Sequence, residues 1–256
     1  MTTILQARQL NKIFVKGKSN SQHVLRDVDI AIRQGEFVSV MGPSGSGKST
    51  LLYTLSGMDK PSSGSISFGE QQLAELGEDK LAALRLSGMG FVFQHGHLLR
   101  NLNILDNIVL PAYTAAEESR RTIRERAREL MIRTGIAELA DHDITQVSGG
   151  QLQRAAICRA LINNPDMLFG DEPTGALNSR AAAEVMDILG ELNRSGTTIL
   201  LVTHDAKVAA ATERVIFMAD GAIAGELTLG PCAQNGSEAM KLREQQLSAW
   251  LAEMGF

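Results

Sequence analysis

Gly42-Pro43-Ser44-Gly45-Ser46-Gly47-Lys48-Ser49, with Thr50 behind it, fits G-x-x-x-x-G-K-[ST] at every fixed position. These residue types are what an anion-binding turn needs. Glycines can aim successive backbone N–H groups at one anion, with no Cβ in the way. Lys48 brings a point charge to β/γ-phosphates, and the Ser49 hydroxyl is placed to ligate Mg2+. Just upstream, Phe37-Val38-Ser39-Val40-Met41 reads as a strand after the turn Gln34-Gly35-Glu36; downstream, a helix is expected over about 48–55. Strand, glycine turn and helix open a doubly wound α/β fold, and the positive end of the helix adds to the pull on the phosphates.

Working outward, residues before about 40 read as β-rich, with Val24-Leu25 and then Val28, Ile30 and Ile32 alternating. From about 96 to 165 the pattern turns helical. A helix over about 118–134 carries Ile123, Ala127, Leu130 and Met131 at steps of three and four, which suggests a helical lobe inserted in the core. Short apolar strands return at about 166–170, 197–203 and 214–218. A helix over about 179–193 lies between the first two, and Asp220-Gly221 marks a hairpin turn. In the tail, about 237–255, Met240, Leu247, Trp250, Leu251 and Met254 share one helix face while Lys241, Arg243 and Glu244 are expected to point elsewhere. The mixed charges of that helix favour packing on its own domain or on a partner subunit over lying on a membrane.

Composition excludes several classes. The 256 residues are 44% hydrophobic and 21% charged, enough to bury a sizeable core. A net charge of −4 gives no footprint for nucleic acid. The arginines at 120, 121, 124, 126 and 128 alternate with glutamates, as on a solvated, salt-bridged helix face. Cys158 and Cys232 form neither a disulfide framework nor a metal spacing, which suits a reducing compartment. The opening residues lack a signal-peptide pattern, and no apolar run approaches the roughly 20 residues that span a bilayer.

A second motif ends a buried-type strand: Met167-Leu168-Phe169-Gly170-Asp171-Glu172, the pattern called Walker B. The carboxyl end of such a strand opens into the ligand crevice of an α/β sheet. There Asp171 can hold Mg2+ through water, and Glu172 can orient or deprotonate an attacking water. A solvated acidic turn before Pro173 is the plainer alternative.

Val147-Ser148-Gly149-Gly150-Gln151-Leu152-Gln153-Arg154 is a second serine–glycine element at a helix start, able by the same N–H logic to clamp another anion. It resembles the signature of the ABC transporter ATP-binding subunits, and the other elements of that family occur in order. Gln94, in Phe91-Val92-Phe93-Gln94, resembles the Q-loop glutamine. Gly175-Ala176-Leu177-Asn178 occupies the D-loop, and His204, in Leu201-Val202-Thr203-His204-Asp205, resembles the switch histidine. Phe14 matches the aromatic that stacks on adenine, although an aromatic near a strand is otherwise core. The resemblance covers residues 3 to about 226.

It implies an α/β fold: a P-loop NTPase core of ABC type with an N-terminal antiparallel β part and an inserted helical lobe. The expected boundaries are core 1–95 and 166–235, lobe about 96–165 and C-terminal helix about 237–255. It further implies ATP and Mg2+ bound in a head-to-tail dimer of two copies, with no nucleic-acid partner. Residues 42 to 50 and Phe14 would hold the nucleotide, and Ser49, Gln94 and Asp171 the metal. Ser148, Gly149, Gly150 and Gln151 would face the nucleotide of the partner copy. Glu172, His204, Lys48 and Gln94 would serve hydrolysis. Two departures stand out: Val147 replaces the usual Leu, and Asn178 replaces the usual Asp, which puts a contact across the dimer in doubt.

Leu84-Arg85, Gly90 to Gln94, Leu98-Leu99 and 102–111 are similar to the branch containing macrolide exporters, lipoprotein-release ATPases and bacitracin-type peptide-resistance transporters. The D-loop and the tail lean toward the last. That implies an ATPase at the cytoplasmic face of the membrane, powering a separate permease docked near Gln94 to Pro111. Leu98, Leu99, Asn101 and Leu102 would lie in or beside the docking groove, the leucines otherwise being lobe core. The alternatives are a lipoprotein-release or cell-division complex and a soluble ABC protein. The latter calls for fused cassettes, a coiled-coil insert or a basic surface.

Overall fold

The computed structural model describes residues 2–16, 20–232 and 237–255. Its first elements are β1 (Thr3–Lys16), β2 (Asn20–Arg33), β3 (Phe37–Met41), α1 (Lys48–Leu55), β4 (Ser63–Phe68), β5 (Gln71–Gln72), α2 (Glu78–Gly88) and β6 (Met89–Phe93). There follow α3 (Ile104–Ala115), α4 (Arg120–Arg133), α5 (Gly149–Leu161), β7 (Met167–Asp171) and α6 (Ser179–Arg194). The chain closes with β8 (Thr198–Val202), α7 (Ala206–Ala210), β9 (Arg214–Ala219), β10 (Ala222–Thr228) and α8 (Ser237–Glu253). Contacts divide it into two compact units, Met1–Leu81 with Thr198–Phe256, and Ala82–Thr197. Positions 1, 17–19 and 233–235 of the expected core lie outside the described residues.

In the first unit β1 pairs antiparallel with β2 and with β4, the antiparallel part expected from the resemblance. Two non-glycine residues break the regularity of the ribbon, Gln9 at φ 47° and Asp27 at φ 45°. Asn11 makes this tolerable: its Nδ2 donates to Gln9 O at 3.0 Å and to Asp27 Oδ1 at 2.8 Å, and its Oδ1 accepts from the Asp27 N–H at 3.1 Å. Bulges of this kind need such local partners because the ladder cannot satisfy them. β3 lies between β8 and β9, parallel to both, and every residue of β3 and β8 is buried. β9 and β10 form the expected hairpin, with Asp220 at φ 49° and Gly221 at φ 85°, a turn with both central residues left-handed.

In the second unit β6 and β7 pair in parallel. α5 presses against β6 at Gly90, where a Cβ would lie 2.5 Å from Ala160 O. α4 buries Ile123, Ala127, Leu130 and Met131, the four residues its periodicity picks out. Its charged face is salt-bridged as expected (Arg121 to Glu125 at 2.9 Å, Arg126 to Glu118 at 2.7 Å), but Arg124 reaches Asp106 of α3 and Arg120 stacks on Tyr113. Asn107 is the polar exception on the buried face of α3. Its side chain accepts from Leu99 N at 2.6 Å and donates to the carbonyls of Leu99, Leu102 and Asn103, fixing the segment before the helix.

α8 packs on its own unit. Leu247 and Leu251 are buried with Met41, Ala209, Ala210, Val215 and Phe217, and Met240, Trp250 and Met254 join them. One expectation fails. Arg243 does not point away; its guanidinium donates to the carbonyls of Ala210, Thr212, Leu229 and Gly230. Backbone carbonyls at a helix end attract a cation, and an apolar-face count does not register them.

Cys158 is buried beneath Thr134, and burial pushes its thiol up to about 12. The thiolate is the reactive form. At pH 8 iodoacetamide is therefore expected to modify the partly exposed Cys232 and leave Cys158 intact until the chain is denatured, read by peptide mass mapping. Labelling of Cys158 in the folded protein at the rate of Cys232 would contradict this packing.

Candidate active site

In the first unit the chain leaves β3 at Met41 and turns through 42–47 into α1. Gly42 has φ 145°, and a Cβ there would lie 2.0 Å from the carbonyl oxygen of Met218 on β9, so only glycine fits. Gly47, the N-cap of α1, is left-handed at φ 99°; no side chain caps the first turn, and that turn holds no acidic residue. The positive end of α1 thus meets the loop with no carboxylate in its own first turn. Lys48 is 8% exposed, and its Nζ donates to Gly42 O and Pro43 O, each at 2.8 Å, which holds the charge inside the turn. Ser46 Oγ is buried there without a hydrogen-bond partner. An orphaned hydroxyl beside an enclosed ammonium fits a loop built for an anion. Pro43, Ser44 and Gly45 are exposed, and Ser49 and Thr50 half-buried.

His204 follows the end of β8 and is exposed. Val40 pairs with Val202, and Thr203 N donates to Val40 O at 3.1 Å, so the histidine hangs from the strand end beside the one that launches the loop. Asp205 then caps α7, accepting from Lys207 N at 2.8 Å. Phe14 lies near the end of β1, 39% exposed, and is not core. The Lys12 ammonium sits 4.8 Å over its ring and is held by Asp59 at 2.5 Å. One ring face is therefore occupied by a fixed cation.

In the second unit β6 and β7 finish side by side, with Phe93 opposite Asp171 in the register. Gln94 and Glu172 are the next residue on each strand. Their side chains converge: a Cβ on Gly175 would lie 2.8 Å from Gln94 Nε2 and 3.0 Å from Glu172 Oε2. Glu172 has φ 48°, a left-handed conformation that costs a non-glycine residue about 1–3 kcal/mol and tends to persist at functional sites.

Ser148 is exposed at the N-cap of α5, as its sequence suggests. It forms a capping box with Gln151: Ser148 Oγ accepts from Gln151 N at 3.3 Å, and Gln151 Oε1 accepts from Ser148 N at 2.8 Å. The carbonyl end of Gln151 is thereby committed to its own helix. Gly149 is exposed beside Leu177 of the D-loop. Gly150 is buried, and a Cβ on it would meet Ala181 of α6 at 2.9 Å, so close helix packing accounts for that glycine. Asn178 caps α6, accepting from Ala181 N at 2.9 Å.

Sequence reasoning passed over two side chains that tie these loops together. Gln153 of α5 donates to Phe93 O at 2.9 Å, and Arg159 donates to Gly96 O at 2.5 Å and His97 O at 2.7 Å. Burial draws the Arg159 pKa below its ordinary value. Gln153 stands in the stretch 147–154, where its type alone does not show this bond, and Arg159 lies outside any motif. Leu98 and Leu102 are half-buried, whereas Leu99 is 46% exposed and Asn101 exposed.

Because only side-chain ends crowd the open side of Gly175, Gly175→Ala is expected to leave the melting temperature within about 2 °C. It should displace Gln94 and Glu172 and, on the hydrolysis that the family resemblance implies, lower ATP turnover about tenfold. Wild-type turnover in that variant would separate this convergence from the chemistry.

The ABC transporter family matches residues 25–175. Among curated proteins, the macrolide export ATP-binding/permease protein MacB of Hahella chejuensis is 43% identical over 256 residues, covering 97% of this chain and 39% of that protein. MacB 1/2 of Paracoccus denitrificans is 48% identical over 215 residues, 83% of this chain and 32% of that protein. The chain thus spans about a third to two fifths of the length of these relatives. Among solved structures, the ATP-binding cassette MJ0796, a dimer in a post-hydrolysis state bound to ADP and Pi, is 38% identical with a TM-score of 0.81, covering 88% of this chain and 98% of that one. cbiO1 from Clostridium perfringens, part of an ABC transporter complex, is 29% identical with a TM-score of 0.80, covering 100% and 98%. On the family match and these identities, the chain belongs to the ABC transporter family.

Proposed function

We propose that the chain binds and hydrolyses ATP as one half of a two-copy motor that drives a permease. The observation that carries this reading is the turn 42–48, where an enclosed lysine, an orphaned hydroxyl and a left-handed N-cap surround a space suited to phosphate. Residues 42 to 50 would hold the phosphates and the open face of Phe14 the base. Ser49 and Asp171, with Gln94, would hold Mg2+, which supplies charge neutralisation at the phosphates. Among the described residues no three His, Cys, Asp or Glu side chains cluster as a metal cage.

Glu172 would orient or deprotonate the attacking water. His204 would hydrogen-bond the γ-phosphate and stabilise charge in the transition state. The exposed cap Ser148-Gly149, with Gly150 behind it, would close on the nucleotide of a second copy. Gln151 then acts by holding that cap rather than by touching the ligand. Asn178 keeps the helix-capping role an Asp would have, so the lost charge bears only on the contact across the dimer.

Among the described residues no helix is long and apolar enough to cross a membrane. The permease would dock along Gln94 to Pro111 with exposed Leu99 in the groove, and the cassette would work at the cytoplasmic face. The names of the curated relatives, which join ATP-binding and permease parts in one protein, favour antibiotic export of macrolide type. Release of a resistance peptide is the reading suggested by the D-loop and tail.

Glu172→Gln should keep ATP affinity, lower turnover by about a hundredfold or more, and accumulate a nucleotide-dependent dimer in light scattering. Lys48→Ala should instead raise the dissociation constant for ATP. Unchanged turnover in Glu172→Gln would remove the glutamate from the mechanism, and unchanged affinity in Lys48→Ala would remove the loop.

A further inference from the structure

We infer that Arg243, on the C-terminal helix, is a positioning residue for His204. It grips the far end of α7, the short helix whose near end adjoins the histidine. The inference rests on the reading above that His204 serves the γ-phosphate.

α7 has five residues, too few for a helix to hold its shape unaided. Its near end is fixed by Asp205, whose N–H donates to Thr203 Oγ1 at 3.0 Å and whose carboxylate accepts from Lys207 N at 2.8 Å. Its far end is held from two sides: Thr212 Oγ1 donates to Ala209 O at 2.8 Å and lies 2.8 Å from Ser39 Oγ of β3, and α8 grips the carbonyls beyond. Arg243 Nε donates to Ala210 O at 2.7 Å and Nη2 to Thr212 O at 2.6 Å; Nη1 reaches Leu229 O and Gly230 O, each at 3.1 Å. A guanidinium has five N–H donors in a rigid fork, so one side chain can serve four carbonyls. A cation at the C-terminal end of a helix is also favoured by the helix dipole.

The flank of α7 packs on the same helix and on β3 and β9. Ala209 and Ala210 are fully buried in one cluster with Leu247 and Leu251 of α8. Met41, the last residue before the phosphate loop, belongs to that cluster too, but hydrogen-bonded neighbours hold its strand on both sides. α7 packs on these strands through Ala209 and Ala210 without ladder bonds, and Arg243 binds its carbonyl end from α8. Loss of the guanidinium should therefore be felt at α7 and His204, with the nucleotide-binding turn left in place. Arg243 touches none of the residues assigned to ATP.

The test is a double-mutant cycle on the full chain, with steady-state ATP hydrolysis as the readout. Arg243→Met keeps most of the stem packing and removes the donors. It should lower kcat about tenfold while KM for ATP stays within about twofold. In a His204→Ala background the same change should cause no further loss, because the residue it positions is gone. Arg243→Lys, which restores a cation at the helix end, should recover part of kcat. It also serves as the second variant should the methionine protein fail to fold.

Unchanged kcat in Arg243→Met, or losses that multiply in the double variant, would overturn the inference while leaving the His204 assignment standing. Unchanged turnover in His204→Ala would remove that assignment and the inference with it.

Discussion

A methyl group on Gly42 would fall 2.0 Å from the carbonyl oxygen of Met218, and the rest of the first unit is arranged around that closeness. The chain must leave β3 by doubling back against β9, which only glycine allows. Having done so, it enters α1 through a left-handed Gly47, folds the Lys48 amine onto its own carbonyls and buries a serine hydroxyl with no partner. The unpartnered hydroxyl is the costly feature, and an anion bound in the loop would offset it.

The second unit solves a different problem with the same device, the carboxyl ends of parallel strands. Phe93 and Asp171 are partners in the ladder, so the residues that follow them, Gln94 and Glu172, emerge side by side and meet over Gly175. The left-handed backbone of Glu172 sits at this convergence, where the surrounding structure must hold it. α5 is the organising element. Its N-cap presents Ser148, Gln153 pins the end of β6, and Arg159 holds the turn after Gln94. One rigid helix therefore links the exposed serine cap to the strand end that carries Gln94. The route between the two places runs along the helix and through the Gln153 hydrogen bond.

Much of this was legible in the sequence because it rests on local rules. The loop 42–49 named its flanking strand and helix, α1 begins at Lys48 and ends at Leu55 as expected, and Asp220-Gly221 gave the hairpin. Strand β7 runs one residue further than its apolar run suggests, because Asp171 still pairs with Phe93. What escaped depends on tertiary partners. Gln153 and Arg159 answer carbonyls some sixty residues away, which no local pattern records. Arg243 left a trace: it stands three residues after Met240 and four before Leu247, on the buried face, so its spacing contradicted the outward placement. Gly150 shows the reverse, a motif glycine whose smallness is already required by Ala181.

In the proposed motor the phosphate loop of one copy and the serine cap of another share a nucleotide. Ser44 and Ser148 are both exposed and can be replaced by cysteine in a Cys232→Ser background. Oxidation with and without ATP, followed by non-reducing electrophoresis, reads their proximity directly. A covalent dimer that forms only with nucleotide is the expected result. No dimer at any ATP concentration, or one that forms equally without it, would contradict the shared pocket.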